Sequence, residues 1–167
     1  MNSIAINLIQ TIKSADQLLS GIEEVKSRYK SAPDKWSYRE IIGHLIDSAY
    51  NNRVRFMNAQ FKNDMIFEGY DQDGWVQFVN YQEIPFSEIL KKWSEMNSEF
   101  ADLIARIPEP RLMQKKEVHN LDKIAFQKVP QGMAVSLNYF ITDYINHMRH
   151  HLNAIFPGRF ELLPNSI

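Results

Sequence analysis

The chain has no cysteine. A disulfide framework, a thiolate nucleophile, a cysteine-type zinc knuckle and a cysteine-ligated iron–sulfur cluster are therefore excluded, and any chemistry must use histidine, carboxylate, hydroxyl or a bound metal. An excess of charge is missing too: 19 Lys and Arg stand against 20 Asp and Glu, which leaves no global field to draw in nucleic acid or an acidic membrane surface. No apolar run approaches the roughly 20 residues that a membrane-spanning helix needs. The first residues lack the basic lead and unbroken apolar stretch of a secretory signal. These absences predict a cytoplasmic protein with neither a nucleic-acid nor a membrane partner.

What is present is apolar patterning. Hydrophobic residues make up 44% and aromatic residues 12% of the 167 positions, enough for one packed core, so a single domain over residues 1–167 is expected. Over residues 4–29, Leu8, Ile12, Leu19, Ile22 and Val25 recur at helical steps and predict a first amphipathic helix. Ser31-Ala32-Pro33-Asp34-Lys35 breaks that pattern. Ser37-Tyr38-Arg39-Glu40 then has the form of a capping box, so a second helix is predicted from Tyr38 to near Phe61. Residues 63–85 are rich in Asp, Gly, Gln and aromatics without a sustained period, and predict an ordered connection anchored by its aromatic rings. A third helix is expected from Pro85 to Ile107, closed by Pro108 and Pro110. Residues 111–133 are irregular, with Val118 and residues 124–129 as candidate extended pieces. Ser136 is a candidate N-cap for a fourth helix through Phe140, Tyr144, Met148 and Ile155, which Pro157-Gly158 stops. The expected architecture is an all-α four-helix bundle with longer connections after the second and third helices.

His147 and His151 are four apart, which on a helix stacks their imidazoles on one face at the spacing that chelates an ion. The same spacing also describes two solvent-facing rings. Phe140, Tyr144 and Met148 fall on or beside that stripe, however, which turns it toward the bundle. His44, between Ile41 and Leu45 on the apolar side of the second helix, offers a third nitrogen; the alternative is a core histidine bonded to a carbonyl. Bundles build metal sites from such inward side chains on facing helices. Three neutral imidazoles suit zinc, nickel or a similar divalent ion, and leave open positions for water and substrate.

Several neighbours are weighed with them. Asp47, three residues after His44, is a candidate outer acceptor or base, against an ordinary surface carboxylate. His150 points about 100° away from His151 on an ideal helix and is assigned to the outer shell or to an interface. His119, in the irregular segment, is either an exposed loop histidine or a group that swings over the open metal position. Arg53, Arg55 and Arg149 are candidates for an anionic substrate, against surface ion pairing. Tyr70 and Trp75 would wall a pocket if their connection folds over the bundle mouth, whereas Trp36 and Trp93 are assigned to core or loop anchoring. Asp71-Gln72-Asp73-Gly74 does not continue into a calcium loop, because no Glu closes it.

Trp36-Ser37, Gly43-His44-Leu45-Ile46-Asp47-Ser48, Asn51-Asn52-Arg53-Val54-Arg55-Phe56, Tyr70-Asp71 with Trp75, and His147-Met148-Arg149-His150-His151 together resemble the DinB-like superfamily. Within it, the chain is most similar to the YfiT-type metal-dependent hydrolases, over most of residues 30–156. The resemblance implies a four-helix bundle, metal ligands at His44, His147 and His151, and a homodimer. It also admits two enzymes: a hydrolase that activates water on its metal against a small-molecule substrate, and an S-transferase that uses a low-molecular-weight thiol. A metal-binding stress protein without catalysis is the third reading. The chain departs from the YfiT pattern in residues 111–133, where His119-Asn120 stands but the His-Pro-Glu turn has no counterpart.

Overall fold

The computed structural model describes residues 2–167. Four long helices form the bundle: α1 (Ser3–Leu19), α2 (Tyr38–Ala59), α4 (Phe86–Ala105) and α7 (Leu137–Ile155). The short helices α3 (Gln72–Val79), α5 (Glu109–Met113) and α6 (Leu121–Ile124) lie in the connections. A two-residue antiparallel pair joins β1 (Lys115–Lys116) to β2 (Val135–Ser136), with Lys115 opposite Ser136. Helices α1 and α2 each pack against α4 and α7, so α1 sits diagonally opposite α2, and α4 opposite α7. Long connections follow from that arrangement. Among the described residues, no helix is long and apolar enough to cross a membrane.

The core forms where the apolar stripes meet. Phe56 stacks on Phe100 at 5.3 Å and meets Phe140 edge-on at 5.1 Å, with Trp93 fully buried nearby in the same core. Each such ring contributes roughly 1.5–3 kcal/mol by leaving water. The predicted capping box is formed: Ser37 accepts from the Glu40 N–H while Glu40 accepts from the Ser37 N–H at 2.6 Å. Ser136 caps α7 by accepting from the Tyr139 N–H at 3.2 Å.

The first helix is shorter than its periodicity predicts. It stops at Leu19, Val25 is largely exposed, and residues 26–28 form a separate 3₁₀ turn. The turn carries Glu24 to two distant partners, the guanidinium of Arg39 and the backbone N–H of Phe86 at the start of α4. Those tertiary bonds outweigh the local helical preference. The connection 63–85 holds α3, which its aperiodic composition concealed. Asp71 caps it by accepting from Gly74 N–H at 3.0 Å, and a Cβ on Gly74 would lie 2.3 Å from that carboxylate. The glycine that suggests a loop is what admits the cap. In 111–133 the strand lies at β1, flanked by α5 and α6; at Val118 the chain makes only an isolated parallel bridge, His119 with Met65, in which the Val118 carbonyl accepts from the Met65 N–H at 2.9 Å, and 124–129 forms no strand.

Candidate metal centre

Helices α2 and α7 bring His44, His147 and His151 together. The Nε2 of His147 lies 3.2 Å from that of His44 and 3.1 Å from that of His151. Two ligands on one tetrahedral ion, with bonds of about 2.05 Å, stand about 3.3 Å apart. Each nitrogen owes its place to local sequence. The one-turn step on α7 aligns His147 with His151, and next to His44, Gly43 lets α2 pack closely on the Tyr81 ring, which a Cβ there would meet at 2.2 Å. Trp36 covers the group, its ring 4.7 Å from His44 and 6.0 Å from His151, and Phe126 packs 5.8 Å from His147.

Burial keeps these imidazoles neutral. It lowers His44 to about 4 and His151 to about 3, and holds His147 well below the usual histidine range, with the neighbouring rings adding to the effect. Neutral imidazole is the ligating form. Ser48 Oγ stands 3.5 Å from His147 Nδ1, on the side that would place the proton on Nδ1 and leave Nε2 for a metal. His44 Nδ1 is buried with no hydrogen-bond partner. Among the described residues, no carboxylate joins the cluster of three.

A cavity of about 310 Å³ opens on His147 and His151, walled by Ser48, Tyr70, Phe126 and Asp143 among others. Asp143 accepts the N–H groups of Phe126 and Gln127, at 2.9 and 2.6 Å, and so pins the loop that forms one wall. Burial pushes that carboxyl up to about 6. A second cavity, about 500 Å³, reaches His151 past Trp36.

The family model of the DinB superfamily matches residues 7–155. The chain belongs to the DinB superfamily. A protein of Oceanobacillus iheyensis is 24% identical over 133 residues, 80% of this chain and 69% of its own. One of Halalkalibacterium halodurans is 21% identical over 151 residues, 90% and 81% of the two chains. Both carry the name "putative metal-dependent hydrolase". YfiT from Bacillus subtilis, described as a probable metal-dependent hydrolase with an unusual four-helix bundle topology, shares the fold. Its TM-score is 0.74 at 16% identity, over 93% of this chain and 86% of YfiT.

Other residues singled out in this DinB-superfamily chain are placed differently. Asp47 is buried on α2, but its Oδ1 accepts from Tyr81 Oη at 2.8 Å and it makes no hydrogen bond to an imidazole. His119 is neither exposed nor near the trio: it is buried, 2.9 Å from the Met133 carbonyl through Nε2, and accepts from Leu121 N–H through Nδ1. His150 is exposed and packs on Phe126 at 5.1 Å, at the rim of both cavities. Arg53 pairs with Glu99 at 3.5 Å, and Arg149 bonds Thr11 and the Glu161 carbonyl, so neither faces the cavity. Tyr70 does wall it, with Trp75 packed behind at 4.9 Å. Ser48 and the covering role of Trp36 escaped the sequence reading. Ser48 was detectable, since it follows His44 by one helical turn; Trp36 precedes α2 and carries no periodic signal.

Proposed function

We propose that the chain is a hydrolase dependent on a divalent ion held by His44, His147 and His151, zinc or nickel by the chemistry of the donor set. The observation that carries the reading is the convergence of three neutral imidazole nitrogens, at ligand spacing, on a cavity sized for a small molecule. When bound, such an ion supplies Lewis acidity, which acidifies water and polarises the group to be cleaved. The chain does the rest. Ser48 holds the His147 tautomer, Trp36 and Phe126 exclude bulk water, and Asp143 keeps the 125–127 wall in place.

Metal analysis of freshly purified protein, coupled to a screen of activated esters and amides, tests this. Stoichiometric divalent metal and turnover that both vanish in H147A and H151A are expected. Protein that holds no metal, or hydrolysis that survives both substitutions, overturns it.

One observation favours a second reading, a metal-dependent S-transferase. The cavity beyond Trp36 gives His151 a second approach, room for a second organic substrate, and a chain without cysteine must take its thiol from solution. Thiol-dependent consumption of an electrophile, without ester or amide hydrolysis, would select it.

A further inference from the structure

Arg55 lies in the wall of the histidine cavity, only 7% exposed. A buried guanidinium normally meets a carboxylate or saturates its five N–H groups on the fold. Arg55 does neither. Its bonds go to the Glu68 carbonyl and, at 3.4 Å, to Asn52 Oδ1; no ion pair among the described residues includes it. The hydroxyl of Tyr70, on the same cavity, is buried beside Ser48 and makes no well-formed hydrogen bond among the described residues. Two polar groups that the fold leaves incomplete therefore face one space.

The charge lining that space is net positive. Asp143 is its single acidic lining residue, with both oxygens already taken by backbone N–H groups, whereas Arg55 and Lys123 are both cationic. We infer that Arg55 and Tyr70 form the seat for an oxyanionic group, carboxylate or phosphate, on the molecule that the three-histidine site acts upon. The inference rests on the hydrolase reading above for what happens at the other end of that molecule. A planar guanidinium with unspent donors matches two oxyanion oxygens at once, and the phenol hydroxyl adds a third donor. Ser48, Asn52 and Arg55 follow one face of α2, with Cα of Arg55 about 10 Å along the axis from that of Ser48. The Arg55 side chain leans back toward the helix N-terminus. The seat and the histidines thus open on one cavity of about 310 Å³, which limits the size of the substrate as well as its charge.

The test titrates succinate, inorganic phosphate and the neutral succinamide into metal-free and zinc-loaded protein, with wild type, R55M and R55K. At least one anion is expected to bind metal-free wild type, at least tenfold more tightly than succinamide, and the tighter anion identifies the group. R55M should lose at least tenfold and R55K, which keeps the charge without the fork, less. Failure of both anions to bind wild type, or equal affinity in R55M, overturns the inference. Should R55M not fold, the Nε–Hε resonance of Arg55 in wild type decides: a shift on addition of anion supports the seat, and no shift overturns it. Zinc content measured in parallel separates the two readings. An anion that binds metal-free protein through Arg55 upholds the seat even where zinc binding fails.

Discussion

Arg39 and Arg55 stand near opposite ends of α2, both buried, and the fold treats them differently. Arg39 uses all three guanidinium nitrogens on the chain itself. It donates to Ser27 Oγ, to the carbonyls of Glu24, Gln82 and Ile84, and to the Glu24 carboxylate. That clamp ties the segment after α1 to the start of α4. Arg55 is left with two contacts and no carboxylate. The same contrast separates their surroundings: around the histidines, His44 Nδ1, Asp47 Oδ2 and Tyr70 Oη are all buried without partners. Trp93 Nε1, in the core, is likewise without a partner among the described residues, so an open polar atom points to a ligand only where it also lines a cavity, as Tyr70 does.

The contrast breaks most visibly at the clamp. R39M should cost about 3 kcal/mol, because it leaves Ser27 Oγ and the carbonyls of Glu24, Gln82 and Ile84 without their donor, while the exposed Glu24 carboxylate returns to water. Chemical denaturation measures this, and the folded fraction should still bind metal with wild-type stoichiometry. A loss under about 1 kcal/mol would refute the structural role. At the open end, stability should respond to ligand instead. Zinc at a hundred times its dissociation constant should stabilise wild type by about 2.7 kcal/mol, and thermal melts of H147A should show no such gain.

Acid sharpens the comparison. His44 and His151 fall from 6.5 to about 4 and about 3 on folding, so the unfolded chain takes up protons that the folded chain refuses. Stability of the metal-free protein should therefore be lost as pH falls below 6.5. Asp143, raised from 3.8 to about 6, acts in the opposite sense, and its contribution grows as pH falls through 6. The histidines outnumber it, and the net loss between pH 6.5 and 5 should be on the order of 2 kcal/mol. Denaturant melts at the two pH values check the sign; unchanged or greater stability at pH 5 would contradict it. Least in size, S48A should weaken zinc binding by roughly tenfold, with little change in the melting of metal-free protein.

The second, third and fourth helices were legible because their signals are local: a capping box at Ser37, a proline before Phe86, an N-cap at Ser136, and apolar steps between. The histidine trio was legible for the same reason. One-turn spacing on α7 and an inward position on α2 suffice to bring the three rings together once the two helices pack. The signals failed where a long-range partner decided the outcome. Val25 continues the period of the first helix, yet the chain turns after Leu19 so that Glu24 reaches Arg39 and Phe86. Asp47 shares the helix of His44 but is taken by Tyr81, a residue 34 positions away. His119, in an aperiodic segment, is buried by its bond to the Met133 carbonyl.

By itself the sequence determined the capped long helices, the lack of thiol chemistry and the rings available to a metal. These depend on residue type and on spacing within one or two turns. Tertiary structure alone decided that Trp36 covers the trio, that Ser48 meets His147, and that Arg39 is satisfied while Arg55 is not. Each of those depends on which side chains from distant segments arrive at the same place, and helical periodicity carries no information about that.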